Sequence, residues 1–301
     1  MKNEIVLVAG GTGLIGRVLV KNLRDKGHEV RLLSRQQSNL PEKIYNWDPY
    51  KGVIDNDALE NVSVIINLVG AGIADKRWTA SRKKVLLDSR VIPARFLYEK
   101  CKKSSSLKHY ISASGINAYG YEEPKKTYKE SDPFGKDFLS QIVEQWEESA
   151  DIFADFGMVT KIRTAVVLSN DGGALPRIAK PVKMGVGAPL GSGKQSMPWI
   201  AIQDLVRLFA FVIQEKIEGP INAVAKNDSN KTVTHAIAKT LNKKVWLPNV
   251  PSFVMSLLLG EMATMLLNGV KASNEKIVTA GFEFRHNDIE EALRHIYFSK
   301  S

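Results

Sequence analysis

The chain has 301 residues, of which 44% are hydrophobic and 25% charged, as expected for a globular protein with one large domain or two unequal ones. Its net charge of +10 comes from Lys and Arg residues spread along the whole length, which favours a solvated surface over a nucleic-acid-binding patch. The single cysteine excludes an intramolecular disulfide, and neither it nor the five histidines show metal-ligand spacing, so no metal is expected.

The first predicted element is a short apolar strand, 5–8, which leads into a glycine-rich turn and an amphipathic helix over 14–26. This layout is typical of a dinucleotide-binding turn, in which the glycines permit a tight bend, close approach of a pyrophosphate and close helix packing. The residues expected to contact the cofactor here are Gly10, Thr12, Gly13, Leu14, Ile15 and Gly16. The alternative is a glycine-rich turn that holds no ligand.

The second predicted strand, 30–33, ends about 20 residues beyond the glycines, where a ribose-binding residue is expected. An Asp or Glu there would bind the ribose 2′-hydroxyl of NAD, but this chain has Ser34 and Arg35. A guanidinium suits a 2′-phosphate by charge and geometry, so the sequence predicts NADP(H) as the cofactor. The alternative for Arg35 is a solvated charge at the end of a strand.

The third predicted strand, 64–69, is followed by the small residues Gly70-Ala71-Gly72, which would let the nicotinamide half of a cofactor lie against the backbone. The cofactor contacts expected here are Leu68, Val69 and Gly70. Further along this loop, Lys76, Arg77 and Trp78 are candidate substrate-binding residues, with the two cations holding an anionic group. Trp78 could equally be a packing anchor.

The strand predicted over 109–113 ends in a second polar loop. Ser112 is a candidate cofactor contact, whereas Ser114 and Tyr119 are candidates for the proton relay of a hydride-transfer reaction. These hydroxyls would lie at the edge of the sheet where ligands bind. The alternative is that the serines cap loop backbone groups and the tyrosine packs in the core.

Predicted strands alternate with helices over 79–103 and 137–156, which indicates an α/β fold, a Rossmann doubly wound parallel sheet. A smaller, mostly helical C-terminal substrate lobe is expected to follow, and a loop-rich stretch before it contains Gln195, another candidate substrate contact. The predicted boundaries are 1–174 for the Rossmann domain, 200–225 for a return to it, 175–301 for the substrate lobe and 251–301 for its C-terminal helical domain.

The most apolar run, Phe253 to Leu267, is too short to span a bilayer and contains Glu261. It predicts a buried helix within a cap on the substrate side, not a membrane segment. The side chains expected to be buried are Phe253, Met255, Leu257, Leu258, Leu259, Met262, Leu266 and Leu267. No signal peptide precedes the first strand, so a cytoplasmic protein is expected.

Several motifs together resemble an extended short-chain dehydrogenase/reductase, and more narrowly the atypical epimerase family proteins, the group that contains family 39U. The general motifs are Gly10-x-x-Gly13-x-x-Gly16, Asn67-Leu68-Val69-Gly70, Ser112-x-Ser114 before Tyr119-Gly120, and Trp199-Ile200-x-Ile202-x-Asp204. Phrases of the narrower group include Ile73 to Trp78, Asp88-Ser89-Arg90, Trp146-Glu147 and Gly191 to Gln195. The resemblance implies a Rossmann sheet that binds NADP(H) and a smaller substrate lobe.

The chain departs from active extended members at one point. Those proteins carry Tyr-x-x-x-Lys on the helix that occupies about 137–150 here, and neither residue is present in Phe138 to Glu144. Two functions therefore stay open. One is an NADP(H)-dependent oxidoreductase or epimerase acting on a small polar, anionic or sugar-like substrate, and the other is a non-catalytic NADP(H)-binding sensor or partner-binding protein. No nucleic acid or membrane partner is expected, and the sequence does not indicate an oligomeric state.

Overall fold

The computed structural model describes residues 4–35, 43–102, 104–121 and 125–299. Its strands are β1 (Ile5–Ala9), β2 (Glu29–Ser34), β3 (Lys43–Asp48), β4 (Val53–Ile54), β5 (Val64–Asn67), β6 (His109–Gly115), β7 (Thr127–Tyr128), β8 (Met158–Thr164), β9 (Val166–Leu168), β10 (Ser196–Ala201), β11 (Gly219–Ala223), β12 (Lys226–Ser229) and β13 (Lys271–Ala272). Its α-helices are α1 (Leu14–Asp25), α2 (Ala80–Cys101), α3 (Phe138–Asp151), α4 (Ala174–Lys183), α5 (Ile202–Glu215), α6 (Asn230–Thr240), α7 (Ser252–Leu259), α8 (Ala263–Leu267), α9 (Glu275–Thr279) and α10 (Ile289–Phe298).

The main sheet has the strand order β11-β8-β6-β5-β1-β2-β3-β4 and is parallel except for the short β4. From β1 the chain adds β2 and β3 on one side and then crosses to β5 on the other side. The point where the strand order reverses therefore lies between β1 and β5, and ligands of doubly wound sheets bind at this point, beyond the carboxyl ends of the strands. The predicted Rossmann doubly wound parallel sheet is confirmed.

Helices cover both faces of the main sheet. Successive residues of β1 point to opposite faces and so pack into two different cores. Val6 and Val8 belong to the core that contains Leu19 of α1 and Phe209 of α5. Leu7 and Ala9 belong to the core on the other face, together with residues of α2 such as Leu97. Burial on both faces explains the nearly continuous apolar sequence of the central strands.

Residues 202–223 lie on the main sheet, since α5 packs against α1 and β11 pairs with β8. The remaining strands form a three-stranded sheet of β12, β10 and β9 and a two-stranded sheet of β13 and β7. The predicted domain boundaries stay predictions. No helix within the described ranges is long and apolar enough to cross a membrane.

The apolar run near the C-terminus departs from the sequence prediction of one buried helix. It forms α7, a turn of 3₁₀-helix and α8, and only part of it is covered. Met255 and Met262 are buried, but Phe253 is 73% exposed, Leu257 77% and Leu258 63%. The expectation of burial is therefore wrong for these three side chains, because breaking the run into short helices turns one side of α7 toward solvent.

Candidate cofactor and substrate site

The glycines of the first turn meet different local demands. Gly10 has φ +82°, which favours glycine, and an added Cβ would lie 3.1 Å from the carbonyl carbon of Leu68. A Cβ on Gly16 would overlap the carbonyl oxygen of Gly10, so this position allows the helix to pack closely. Gly13, by contrast, is exposed and a Cβ there would meet only that same oxygen, at 3.3 Å. The space in front of Gly13 is therefore open to a ligand.

The N-terminus of α1 faces this open space. Gly13 is the N-cap, no side chain caps the helix, and no acidic residue lies in its first turn. The backbone N–H groups of Leu14, Ile15 and Gly16 make no hydrogen bond within the described residues. Thr12 is exposed beside them. Free amides and the positive end of the helix dipole together favour an anionic group, so the turn fits a pyrophosphate.

Two cations border the turn. Arg35 follows directly after β2 and Arg17 lies in the first turn of α1; both are exposed and neither forms an ion pair with a described carboxylate. Ser34, the last residue of β2, is half-buried in the pairing with β3. The predicted recognition of a 2′-phosphate by Ser34 and Arg35 stays a prediction.

The loop after β5 is held against the glycine turn by Asn67, a residue whose role the sequence analysis did not assign. Its buried side chain donates to the hydroxyl of Tyr110 at 2.9 Å and accepts from the Val69 N–H at 3.1 Å. The Leu68 N–H donates to the carbonyl of Ala9 at 2.9 Å. Leu68 and Val69 are half-buried and Gly70 is exposed. The loop thus lies beside the glycine turn, and the predicted cofactor contacts of these three residues stay a prediction.

The two relay candidates lie in one buried hydrogen-bond network. Ser114 donates to Glu147 of α3 at 2.6 Å, and Glu147 forms a bidentate ion pair with Arg163 of β8, with both N–O distances 2.8 Å. Arg163 also donates to the hydroxyl of Tyr119, at 3.0 Å, and Tyr119 donates to Asn222 of β11 at 2.6 Å. Both hydroxyls thus already have partners within the protein, and their predicted relay role stays a prediction.

The electrostatics of the network favour a protonated Tyr119 and a charged Arg163. Burial raises the pKa of Tyr119 to about 12, although the nearby Arg163 acts in the opposite direction. Burial also opposes the charge of Arg163, but hydrogen bonding and attraction to Glu147 outweigh it and raise the pKa of the guanidinium. At neutral pH the tyrosine is therefore a poor base.

The other candidates of the polar loops differ in their surroundings. Ser112 is buried, and its hydroxyl donates to the carbonyl of Ala113 at 2.8 Å. Gln195 uses its amide nitrogen to bind the carbonyls of Leu190 and Leu266, each at 3.0 Å, so it links the Gly191–Gly193 loop to α8. Its predicted role in substrate binding stays a prediction.

The loop between β5 and α2 has a buried and an exposed side. Trp78 is buried, donates to the carbonyl of Ile73 at 3.0 Å and packs edge-on against Phe138. It has the geometry of the packing anchor that the sequence analysis left open. Lys76 and Arg77 are exposed without a described ion-pair partner, and Arg77 lies beside Gly260 of the C-terminal segment. The predicted role of Lys76, Arg77 and Trp78 in substrate binding stays a prediction.

Apolar side chains occupy the start of α3, where active extended members carry Tyr-x-x-x-Lys. Leu139 and Ile142 belong to a small core with Trp78, Leu86 of α2 and Met262 of the C-terminal segment. Glu261 forms an ion pair with Lys83 of α2 at 2.6 Å beside this core. The C-terminal segment is thus attached to the loop that borders the cofactor site. Among the described residues, no group of three or more His, Cys, Asp or Glu side chains could hold a metal ion.

Comparisons with known proteins agree with this architecture. The model of the NAD dependent epimerase/dehydratase family matches residues 6–225, and the model of a domain of unknown function, DUF1731, matches residues 250–296. The chain therefore belongs to the NAD dependent epimerase/dehydratase family.

Relatives similar to the chain over nearly their whole length are known. The epimerase family protein Mb2239 of Mycobacterium bovis is 36% identical over 298 residues, which cover 97% of each chain. The epimerase family protein SDR39U1 of Mus musculus is 32% identical, with 97% of this chain and 99% of the relative covered. A crystal structure of the human epimerase family protein SDR39U1 with NADPH superposes with a TM-score of 0.87 at 30% identity, covering 97% and 98% of the two chains. The resemblance to the epimerase family proteins inferred from the motifs is confirmed.

Proposed function

We propose that the protein binds NADP(H) across the point between β1 and β5 and acts as an oxidoreductase or epimerase on a small polar substrate. The observation that supports this best is the open space in front of Gly13 at the uncapped N-terminus of α1. The NADPH bound to human SDR39U1 supports the choice of cofactor. When bound, such a cofactor supplies or accepts a hydride.

Different residues around the turn would bind different parts of the cofactor. The amides at the start of α1 would hold the pyrophosphate, and Arg35 with Ser34 would hold the 2′-phosphate. The loop from Leu68 to Gly70 and the buried Ser112 would form the wall beside the nicotinamide half. Gly10 keeps this loop close to the turn, because any side chain there would press on Leu68.

The substrate would lie between the 71–78 loop and the C-terminal segment. Lys76 and Arg77 are exposed cations at this position, which favours an anionic group on the substrate. Met262 packs with Trp78 of this loop, and Glu261 forms an ion pair with Lys83 of α2, so the C-terminal segment is attached to both the loop and the helix. This segment would therefore exclude water from the reacting carbon.

A second function, a non-catalytic NADP(H) sensor, is favoured by one observation. The start of α3, where active extended members carry the Tyr–Lys pair, holds neither residue and places Leu139 and Ile142 in a small core. The hydroxyls of Ser114 and Tyr119 are bound within the protein. A sensor needs the cofactor site but no proton relay.

Calorimetric titration with NADPH and NADH tests the shared part of both proposals. We expect the wild type to prefer NADPH, and Arg35→Ala to weaken NADPH binding by roughly tenfold to a hundredfold, because a charge-assisted hydrogen bond is lost. Arg95→Ala, which removes an exposed arginine of α2, is the matched control and should bind as the wild type does. Equal binding of both cofactors by the wild type would contradict the NADP(H) assignment. Net oxidation of NADPH with a panel of carbonyl compounds then identifies an oxidoreductase. An epimerase regenerates its cofactor and is instead distinguished from the sensor by the conversion of a substrate into its epimer.

A further inference from the structure

Two arginines of α2 hold the backbone of the loop that follows β5. Arg90 donates to the carbonyl of Ala71 at 3.1 Å, and Arg82 donates to the carbonyl of Gly72 at 2.6 Å. Ser89 completes the arrangement, since its hydroxyl accepts from the Ala71 N–H at 2.9 Å. The backbone N–H of Ala71 is thus held by Ser89, and its carbonyl is held by the next residue of α2, Arg90.

The Arg90 guanidinium lies directly behind the exposed wall of the cofactor site. A Cβ added to Gly70 would be 3.2 Å from its central carbon, so the guanidinium packs against the backbone of this residue. Gly70 itself is exposed, and the proposed cofactor would lie on its open side. One layer of backbone therefore separates the positive charge from the proposed ligand.

Arg90 is buried without a counter-ion in the described part of the chain. It is 5% exposed, and its other hydrogen bonds go to the carbonyl of Leu86 and the hydroxyl of Ser89. Its Nε and the Nε of Arg82 are buried donors that find no partner among the residues the structure describes. Burial lowers the pKa of Arg90 to about 10, with Arg82 acting in the same direction, so the group stays charged at neutral pH.

This arrangement is unusual for a residue with a purely structural role. Buried arginines are normally paired with a carboxylate, because an isolated buried charge is costly. Contact with the ring of Trp146, 4.8 Å from the guanidinium carbon, offsets part of this cost. A polyanionic ligand across the Gly70 backbone would offset more, since charges interact strongly where water is excluded.

We propose that Arg90, assisted by Arg82, is a positioning residue for NADP(H): it fixes the Gly70–Gly72 backbone against which the cofactor would lie and places a positive charge behind this wall of the site for the anionic cofactor. This inference rests on the proposed function, because it concerns the same cofactor site. It assigns to the Ser89-Arg90 motif a role in cofactor affinity that does not require contact with the substrate.

The test is the dissociation constant of NADPH, measured by fluorescence well below the melting temperature of each variant. Arg90→Met should weaken NADPH binding at least tenfold, and Arg90→Lys, which keeps the charge but not the paired hydrogen bonds, should recover part of it. Lys84→Met is the matched control: it removes an exposed cation of the same helix, paired with Asp88, and should bind as the wild type does.

The outcomes separate this inference from the proposed function. A wild type that does not bind NADPH would overturn both. A wild type that binds, together with a folded Arg90→Met variant of unchanged affinity, would overturn the positioning role alone. If Arg90→Met does not fold, the same measurement is made on Arg82→Met, which replaces a half-exposed residue. Weaker NADPH binding by this variant supports the inference, and unchanged binding overturns it.

Discussion

Gly13 has more room for a side chain than Gly10 or Gly16 has. This difference predicts the effect of replacing Gly13 with a larger residue. The φ of Gly13, −75°, suits any residue, and no side chain in the described ranges fills the space in front of it. Gly13→Val should therefore fold, at a cost of about 1 kcal/mol for a poor N-cap residue, but lose NADPH binding because the side chain occupies the pyrophosphate space. The measurement is NADPH fluorescence enhancement together with thermal unfolding.

Gly16→Val provides the contrasting variant. Its side chain would overlap the carbonyl oxygen of Gly10, so it should lower the melting temperature strongly whether or not NADPH is present. A folded Gly13→Val variant that still binds NADPH would contradict the assigned geometry of the turn.

The buried side chain of His109 should make the stability of the protein depend on pH. The ring hydrogen-bonds Thr160 at 2.7 Å, and burial lowers its pKa to about 4 from an ordinary 6.5. Between these two values the unfolded chain binds more protons than the folded protein does, so stability falls as the pH decreases from about 6.5 toward 4. We expect His109 alone to lower the free energy of unfolding by about 2 kcal/mol between pH 7 and pH 5.

Urea denaturation at pH 7 and pH 5 measures this effect. The wild type should lose more stability on acidification than His109→Gln, in which the titrating group is absent. The difference isolates His109, because burial also lowers the pKa values of His28 and His286 and these residues titrate in both proteins. An equal pH dependence in the two proteins would show that His109 does not titrate in this range.

At the scale of elements, the buried network joins α3, β8 and β11 to the turn that follows β6. Tyr119→Phe removes the hydroxyl that pairs with Asn222 and Arg163, and leaves two buried polar groups with one partner fewer. We expect a loss of about 1–3 kcal/mol in the free energy of unfolding, measured by urea denaturation. Tyr50→Phe, at a residue 54% exposed, is the control and should be close to neutral.

The same network variants test the predicted relay. Once a substrate is found, Ser114→Ala and Tyr119→Phe should lower kcat while leaving NADPH affinity intact if these hydroxyls exchange the proton. Unchanged kcat in both variants would show that the two residues only join the elements around the site.

Elements with a strong periodic pattern were predictable from sequence, and those without one were not. The buried strands β1, β2, β5 and β6 coincide with the apolar runs predicted over 5–8, 30–33, 64–69 and 109–113. Strand β3 was missed: only Tyr45 and Trp47 are buried in it, and this short alternation of buried and exposed residues does not stand out from a loop.

The site was predictable to a similar extent. The glycine turn and the residues after each strand follow from local pattern and sheet topology. The partners of Ser114 and Tyr119 do not, because Glu147, Arg163 and Asn222 lie 33 to 103 residues away and meet them only in the folded chain. The exposed side of α7 was missed for the same reason: composition does not tell which apolar residues remain uncovered.

At the scale of the whole molecule, the C-terminal 50 residues are part of the main structure. Asp204 of α5 is fully buried, and its carboxylate accepts hydrogen bonds from Arg207 and from the backbone N–H groups of Arg285 and His286. Phe282 and Leu293 belong to the same core as the residues of α1 and α5. The segment matched as DUF1731 therefore completes the core beside the main sheet.

Truncation after Asn249 should consequently produce an aggregating protein. It would remove the backbone donors of Asp204 and leave a buried carboxylate with Arg207 as its remaining described partner, which is costly in an apolar setting. It would also uncover the core residues that pack against Phe282 and Leu293. Size-exclusion chromatography and thermal unfolding measure both effects. Truncation after Phe298 is the matched control and should stay soluble, because Ser299 contributes only exposed hydrogen bonds to His295. A soluble, monomeric product of the longer truncation with an unchanged melting temperature would show that the segment folds separately from the Rossmann sheet.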